Sequence, residues 1–151
     1  MDPREQILAR VLQIAESVAA GLGVQTVERN KDDFSEMALP AFVLLDGDEE
    51  GDESDPLTRP TNAPRRVTMK AQLVVLASGA PASIGATVNG YRIGLLVAIV
   101  NDATLIGLVL DGQRRQSIRY IGTSLTIASG RAIEAELRMD LEFTYALVFT
   151  A

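Results

Sequence analysis

Glu134-Ala-Glu-Leu-Arg-Met-Asp-Leu-Glu-Phe-Thr-Tyr-Ala-Leu-Val-Phe149 is the stretch whose reading decides the fold. Its odd positions, Ala135, Leu137, Met139, Leu141, Phe143, Tyr145, Leu147 and Phe149, are apolar, while the even positions from Glu134 to Thr144 are polar or charged. A period of two means a strand with one dry and one wet face. We expect that strand to run from Arg131 to Phe149. The part from Ala135 onward alone would reach roughly 50 Å at about 3.3 Å per residue, beyond the usual length of a strand in a small domain. The excess is expected to cross to a second sheet or to lie against another molecule.

Working outward, Gln116–Ala128 reads as the strand before it. Ile118 and Tyr120 share one parity, and Ile121, Thr123, Leu125 and Ile127 share the other, so a bulge is expected at Gly122. Ser129-Gly130 then provides a tight turn, and the pair forms a long C-terminal β-hairpin. Arg65–Ala77 is another strand, with Val67, Met69, Ala71, Leu73 and Val75 on one face. Val74 and Leu76 interrupt its polar face, so its far end is expected to be buried on both sides. Leu39–Leu45 is a short apolar strand opened by Pro40, and Val24–Glu28 a short extended segment.

Helical spacing appears twice. Ile7, Val11, Ile14 and Val18 follow Asp2-Pro3, a good helix opening, and Gly21 and Gly23 end that helix. Ile84, Val88, Tyr91, Leu95 and Ile99 form a second stripe, and Asn101-Asp102 stops that helix and caps a short one over Ala103–Val109. The order α-β-β-β-α-α-β-β predicts one α+β domain over residues 1–151: an antiparallel-dominated mixed sheet with its helices packed on one face.

Composition narrows the chemistry. The chain has 151 residues, no Cys and no His, which removes thiol chemistry, the commonest general base and the commonest transition-metal ligand. The N-terminal region carries Asp2 and Glu5 and does not read as a secretory signal, and the longest apolar run, Ile93 to Val100, is far short of a bilayer span. A soluble intracellular protein with no membrane partner is expected. The net charge is −6, yet Asp46–Asp55 alone holds seven acids and no base; the remaining 13 acids face 14 bases. Lys31 and Lys70 are the only lysines, so no sequence-specific nucleic-acid footprint is expected.

That acidic stretch, continued through Ser, Thr, Asn, Gly and three prolines to Pro64, predicts an exposed loop over residues 46–64. Asp46, Asp48, Glu50 and Gly51 imitate the opening of a calcium-binding EF-hand loop, but the twelfth position is Leu57 where a bidentate Glu is required. We expect no metal site. Arg65-Arg66 and Arg114-Arg115 are forked donors without a glycine-rich phosphate cradle. Together with Asp48, Glu49 and Glu50 they are candidates for a subunit interface, acid facing arginine of a neighbouring subunit. Glu134, Glu136, Asp140 and Glu142 read as the polar side of a strand, and no serine or lysine has a recognisable activator. No catalytic or cofactor-binding residues are expected, and so no enzyme and no cofactor.

The layout then becomes familiar. The helix Arg4-Glu-Gln-Ile-Leu-Ala-Arg-Val-Leu12, then Leu39-Pro-Ala-Phe-Val-Leu-Leu-Asp-Gly-Asp-Glu49 and an acidic stretch, resembles the tail terminator (tail completion, or minor tail) proteins of long-tailed bacteriophages, prophages and related particles. The later half is similar too: a strand at Arg66–Ala77, a helix, Asn101-Asp-Ala-Thr-Leu105, Ile118-Arg-Tyr-Ile-Gly122 and a last strand ending Phe143-Thr-Tyr145. The likeness spans nearly the whole chain and rests on the order and spacing of its motifs. It implies a non-enzymatic virion protein, assembled in the bacterial host cytoplasm, that forms a homo-oligomeric ring, commonly six-fold, at the head-proximal end of the tail tube. There it would stop tube polymerisation and meet the head-neck connector, so its partners would be further copies of itself, the tail tube protein and the connector protein. On the residues alone, a head-closure or neck connector protein and a cytoplasmic small-molecule or metal-binding module stay open.

Overall fold

The structure, a computed structural model, describes residues 2–51, 60–109, 118–128 and 133–149. Helix α1 (Pro3–Leu22) begins as its sequence dictates: the Asp2 carboxylate accepts the Arg4 amide at 2.9 Å and Pro3 takes the first turn. It ends at Gly23, which sits in the left-handed region at φ 71° and returns its amide to the Ala19 carbonyl. Strand β1 (Thr26–Arg29) follows, then β2 (Ala41–Gly51), β3 (Arg65–Gly79), helices α2 (Ile84–Val100) and α3 (Ala103–Leu108), β4 (Ile118–Ala128) and β5 (Ile133–Leu147).

The five strands form one sheet in the order β1-β2-β3-β5-β4, antiparallel except for the β1–β2 pair. This is the expected α+β architecture, with β4 and β5 as its hairpin. The Ser129-Gly130 turn lies outside the described residues. The register shift expected at Gly122 falls between Tyr120 and Gly122.

Two expectations are corrected. The length of β5 does not run beyond the sheet, because β3 is equally long and pairs with it from Arg65↔Leu147 to Gly79↔Ile133. The acidic loop does not begin at Asp46, because β2 continues through the acids to Gly51. A bulge between Asp46 and Glu49 lets it do so, after which Glu49, Glu50 and Gly51 rejoin the ladder opposite Met69, Thr68 and Val67. Gly47 makes the bulge possible: a Cβ there would lie 2.4 Å from the Lys70 carbonyl oxygen. Residues 52–59, the rest of the acidic stretch, lie outside the described residues.

The main core is the helix side of the sheet. Val67, Met69, Leu73 and Val75 of β3, Leu137 to Tyr145 at odd positions of β5, and Phe42 and Leu44 of β2 pack under Ile7, Leu8, Val11 and Ile14 of α1 and Val88, Leu95 and Ile99 of α2. The Phe42 and Tyr91 rings meet edge to face at 5.8 Å. On the opposite side, the 30–40 crossover from β1 to β2 lays Phe34, Met37 and Leu39 over Ala41, Val43, Val74 and Leu76, which accounts for the doubly buried end of β3.

Candidate assembly surface

Most charges on the helix side are committed to holding elements together. The Arg29 guanidinium, at the end of β1, forks onto Asp46 of β2 at 2.8 and 3.0 Å and onto Glu5 of α1 at 2.7 and 2.9 Å. These bonds hold both carboxyls below their usual range and raise Arg29 further above its own. Asn30, at φ 55°, accepts the Asp46 amide at 2.8 Å and steadies the same corner. In a second joint, Arg10 of α1 grips Asp102 at 2.6 and 2.9 Å, while Asp102 also accepts the Leu105 amide as the cap of α3. The Arg10 hydrogen bond is the main reason the Asp102 carboxyl is depressed.

The interface candidates read from the sequence separate. Arg65 and Arg66 open β3, with Arg65 half-buried and donating to the Pro60 carbonyl at 3.0 Å and Arg66 exposed on the face away from the helices. Asp48 is exposed within the β2 bulge, and Glu50 lies on the outer sheet face 3.7 Å from the Lys70 ammonium. Glu49 turns to the helix side, half-buried, and accepts a hydrogen bond from the Tyr145 hydroxyl. Burial is the main cause that raises the Tyr145 phenol, followed by this carboxylate. Arg114 and Arg115 lie outside the described residues.

The outer sheet face carries a shallow cleft of about 560 Å³ around Asp48, Lys70, Gln72, Asp140 and Glu142. Its polar groups pair locally: Gln72 donates to Asp140 at 2.8 Å, and Arg119 approaches Glu142 at 3.7 Å. A second cleft of about 350 Å³ lies between the crossover and the β4–β5 end of the sheet, against Phe34, Met37, Thr126 and Glu134. Among the described residues no three His, Cys, Asp or Glu side chains group as metal ligands, and no helix is long and apolar enough to cross a membrane.

The feature that stands out is apolar. Helix α2 has one charge, Arg92, in 17 residues, and the second half of its solvent side is apolar. Ile93 and Val97 are each 52% exposed, Val100 is exposed beside them, and Leu22 from the end of α1 reaches Gly94 of the same helix. An exposed apolar stripe of this kind on a helix calls for a partner. Strand β4 is likewise uncovered: Tyr120, Ile121, Leu125 (45%) and Ile127 (50%) are all exposed. Leu125 and Ile127 pair with Leu137 and Ala135 and so lie on the helix side of the sheet. Yet α1 packs over β1 and β2, and α2 over β3 and β5; α2 meets the start of β4 where the Arg92 guanidinium approaches the Tyr120 hydroxyl at 3.4 Å, while Leu125 and Ile127 further along stay exposed. The sequence reading missed these positions because it sought a single stripe on α2. The signal was a second one at Ile93, Val97 and Val100, spaced four and three apart.

No protein-family model matches this sequence, and no curated protein matches it.

Proposed function

We propose that this chain is a ring-forming structural subunit of a phage-type tail, a tail terminator that caps the head-proximal end of the tail tube and joins it to the head-neck connector. The observation that carries the reading is β4, an 11-residue sheet edge exposed on both faces and bearing four large apolar side chains. Unprotected edges of that kind are liabilities in a monomer and contacts in an assembly. The order of elements that resembles tail terminators supports the same conclusion. So does the employment of the charges, since Arg29, Glu5, Asp46, Arg10 and Asp102 brace the fold. A ring uses heterologous contacts, so each subunit needs two different complementary surfaces.

The test is native mass spectrometry of the purified chain, followed by its addition to polymerising tail tubes. A closed ring that halts tube elongation is expected. A chain that stays monomeric beside tube ends and leaves elongation unchanged would overturn the proposal.

A further inference from the structure

We infer that the outward face of α2 in one copy seats on the helix side of β4 in the next, covering the exposed end of that strand at Leu125 and Ile127. This rests on the ring reading above and specifies its interface. The argument begins with the layering. Two helices cover four strands and meet the start of the fifth, β4, where Arg92 approaches Tyr120; beyond it the same apolar row stays exposed, with Leu125 and Ile127 continuing Leu137 and Ala135 across the sheet. What fits on such a row is a helix with an apolar face, because that is how α2 itself sits on β3 and β5 through Val88, Leu95 and Ile99. Among the described residues, the helix with a second apolar face turned to solvent is α2.

The electrostatics agree. The exposed stripe Ile93, Val97, Val100 with Leu22 contains no charge. The one charge in β4, Arg119, pairs in register with Glu142, on the opposite face of the sheet from Leu125 and Ile127. Joining the two faces therefore leaves Arg119 and Glu142 outside the contact, and Arg92, beside the stripe, keeps its approach to the Tyr120 hydroxyl.

The areas agree too. The α2 patch has four large side chains about half in water and the helix side of β4 has three, Tyr120, Leu125 and Ile127, on the order of 80 Å² apiece, or roughly 200–300 Å² of apolar surface each. A stable interface takes about 800 Å² from each partner, so each patch forms the apolar centre of such a contact inside a polar rim. Because the two patches lie on different elements, the contact is head-to-tail and repeats around a ring. A contact of α2 with α2 would leave β4 bare and stop at a dimer.

Val97→Asp and Ile127→Asp separate these arrangements. Both positions are half in water, so far-UV circular dichroism and melting should match the wild type. Each variant alone should be monomeric by native mass spectrometry, with association weakened at least about 100-fold. Mixed one to one, they should form a heterodimer and nothing larger, since the mixture retains one intact α2 face and one intact β4 face. If Ile127→Asp alone still dimerises, or the mixture gives no heterodimer, the head-to-tail contact is overturned. Wild-type rings with both variants assembling normally would sink this interface and leave the ring reading standing. A wild type that forms open, Val97→Asp-sensitive chains without closing would keep the interface and sink the ring. A wild type monomeric at its highest soluble concentration overturns both.

Discussion

Arg29 shows how much of this fold hangs on single side chains. One guanidinium joins the first turn of α1, the end of β1 and the middle of β2, and its partners Glu5 and Asp46 titrate below the usual carboxylate range. The sign follows from linkage. A carboxyl with a lowered folded pKa contributes stability that is complete above its ordinary pKa and is lost as pH falls through the folded value. Replacing Arg29 with Met should therefore lower Tm at pH 7 and have progressively less effect between about pH 5 and pH 2. Melting curves of both proteins across that range check it, and a parallel offset at every pH would contradict it. Gly47 is the other single point of failure. Gly47→Ala drives a methyl into the Lys70 carbonyl across the bulge, and the backbone must shift to admit it. A loss of about 1–3 kcal/mol in urea unfolding is expected. A variant as stable as the wild type would mean that the bulge tolerates a side chain.

Among the elements, β3 and β5 were legible because their two faces differ in chemistry over fifteen residues each, and alternation records that difference. The far half of β2 was not. Asp46 to Gly51 has the composition of a loop, and only the partner strand, through pairs such as Glu49↔Met69 and Glu50↔Thr68, makes it a strand. Nor does the sequence tell that β1 pairs in parallel with β2, since that depends on a crossover carried over the outer face. Of the candidate interface residues, Glu49 lies on the helix side because the bulge sets its parity and turns it to Tyr145, which composition does not show. Helix α3 gives a test at this scale. It has six residues, too few to stand alone, and is held by the Asp102 cap. Asp102→Ala should cost about 1 kcal/mol through the lost cap and speed amide exchange in Ala103–Leu108 more than in α2. Uniform exchange across both helices would assign Asp102 no local role.

At the scale of the whole molecule, an interface centred on Ile93, Val97, Leu125 and Ile127 should be indifferent to screening. Raising ionic strength from about 0.1 to 1 M shortens the Debye length from about 10 to 3 Å, so contacts dominated by Asp48, Glu50 and Arg66 would weaken. Occupancy of the proposed ring by analytical ultracentrifugation is expected to hold or rise across that change; a steep loss would return the contact to the charged residues. The central pairing of β3 with β5 bears on how the protein is born. Arg65 meets Leu147, so on the ribosome β3 emerges well before the strand that will cover its inner edge. Meanwhile that edge leaves the backbone amides and carbonyls of β3 without the strand that will pair with them. Such late, distant pairing is slow and prone to aggregation, and the nascent chain is expected to need chaperones until then. A chain halted after Ala128 should be captured by them or precipitate, while the full sequence folds once β5 is released.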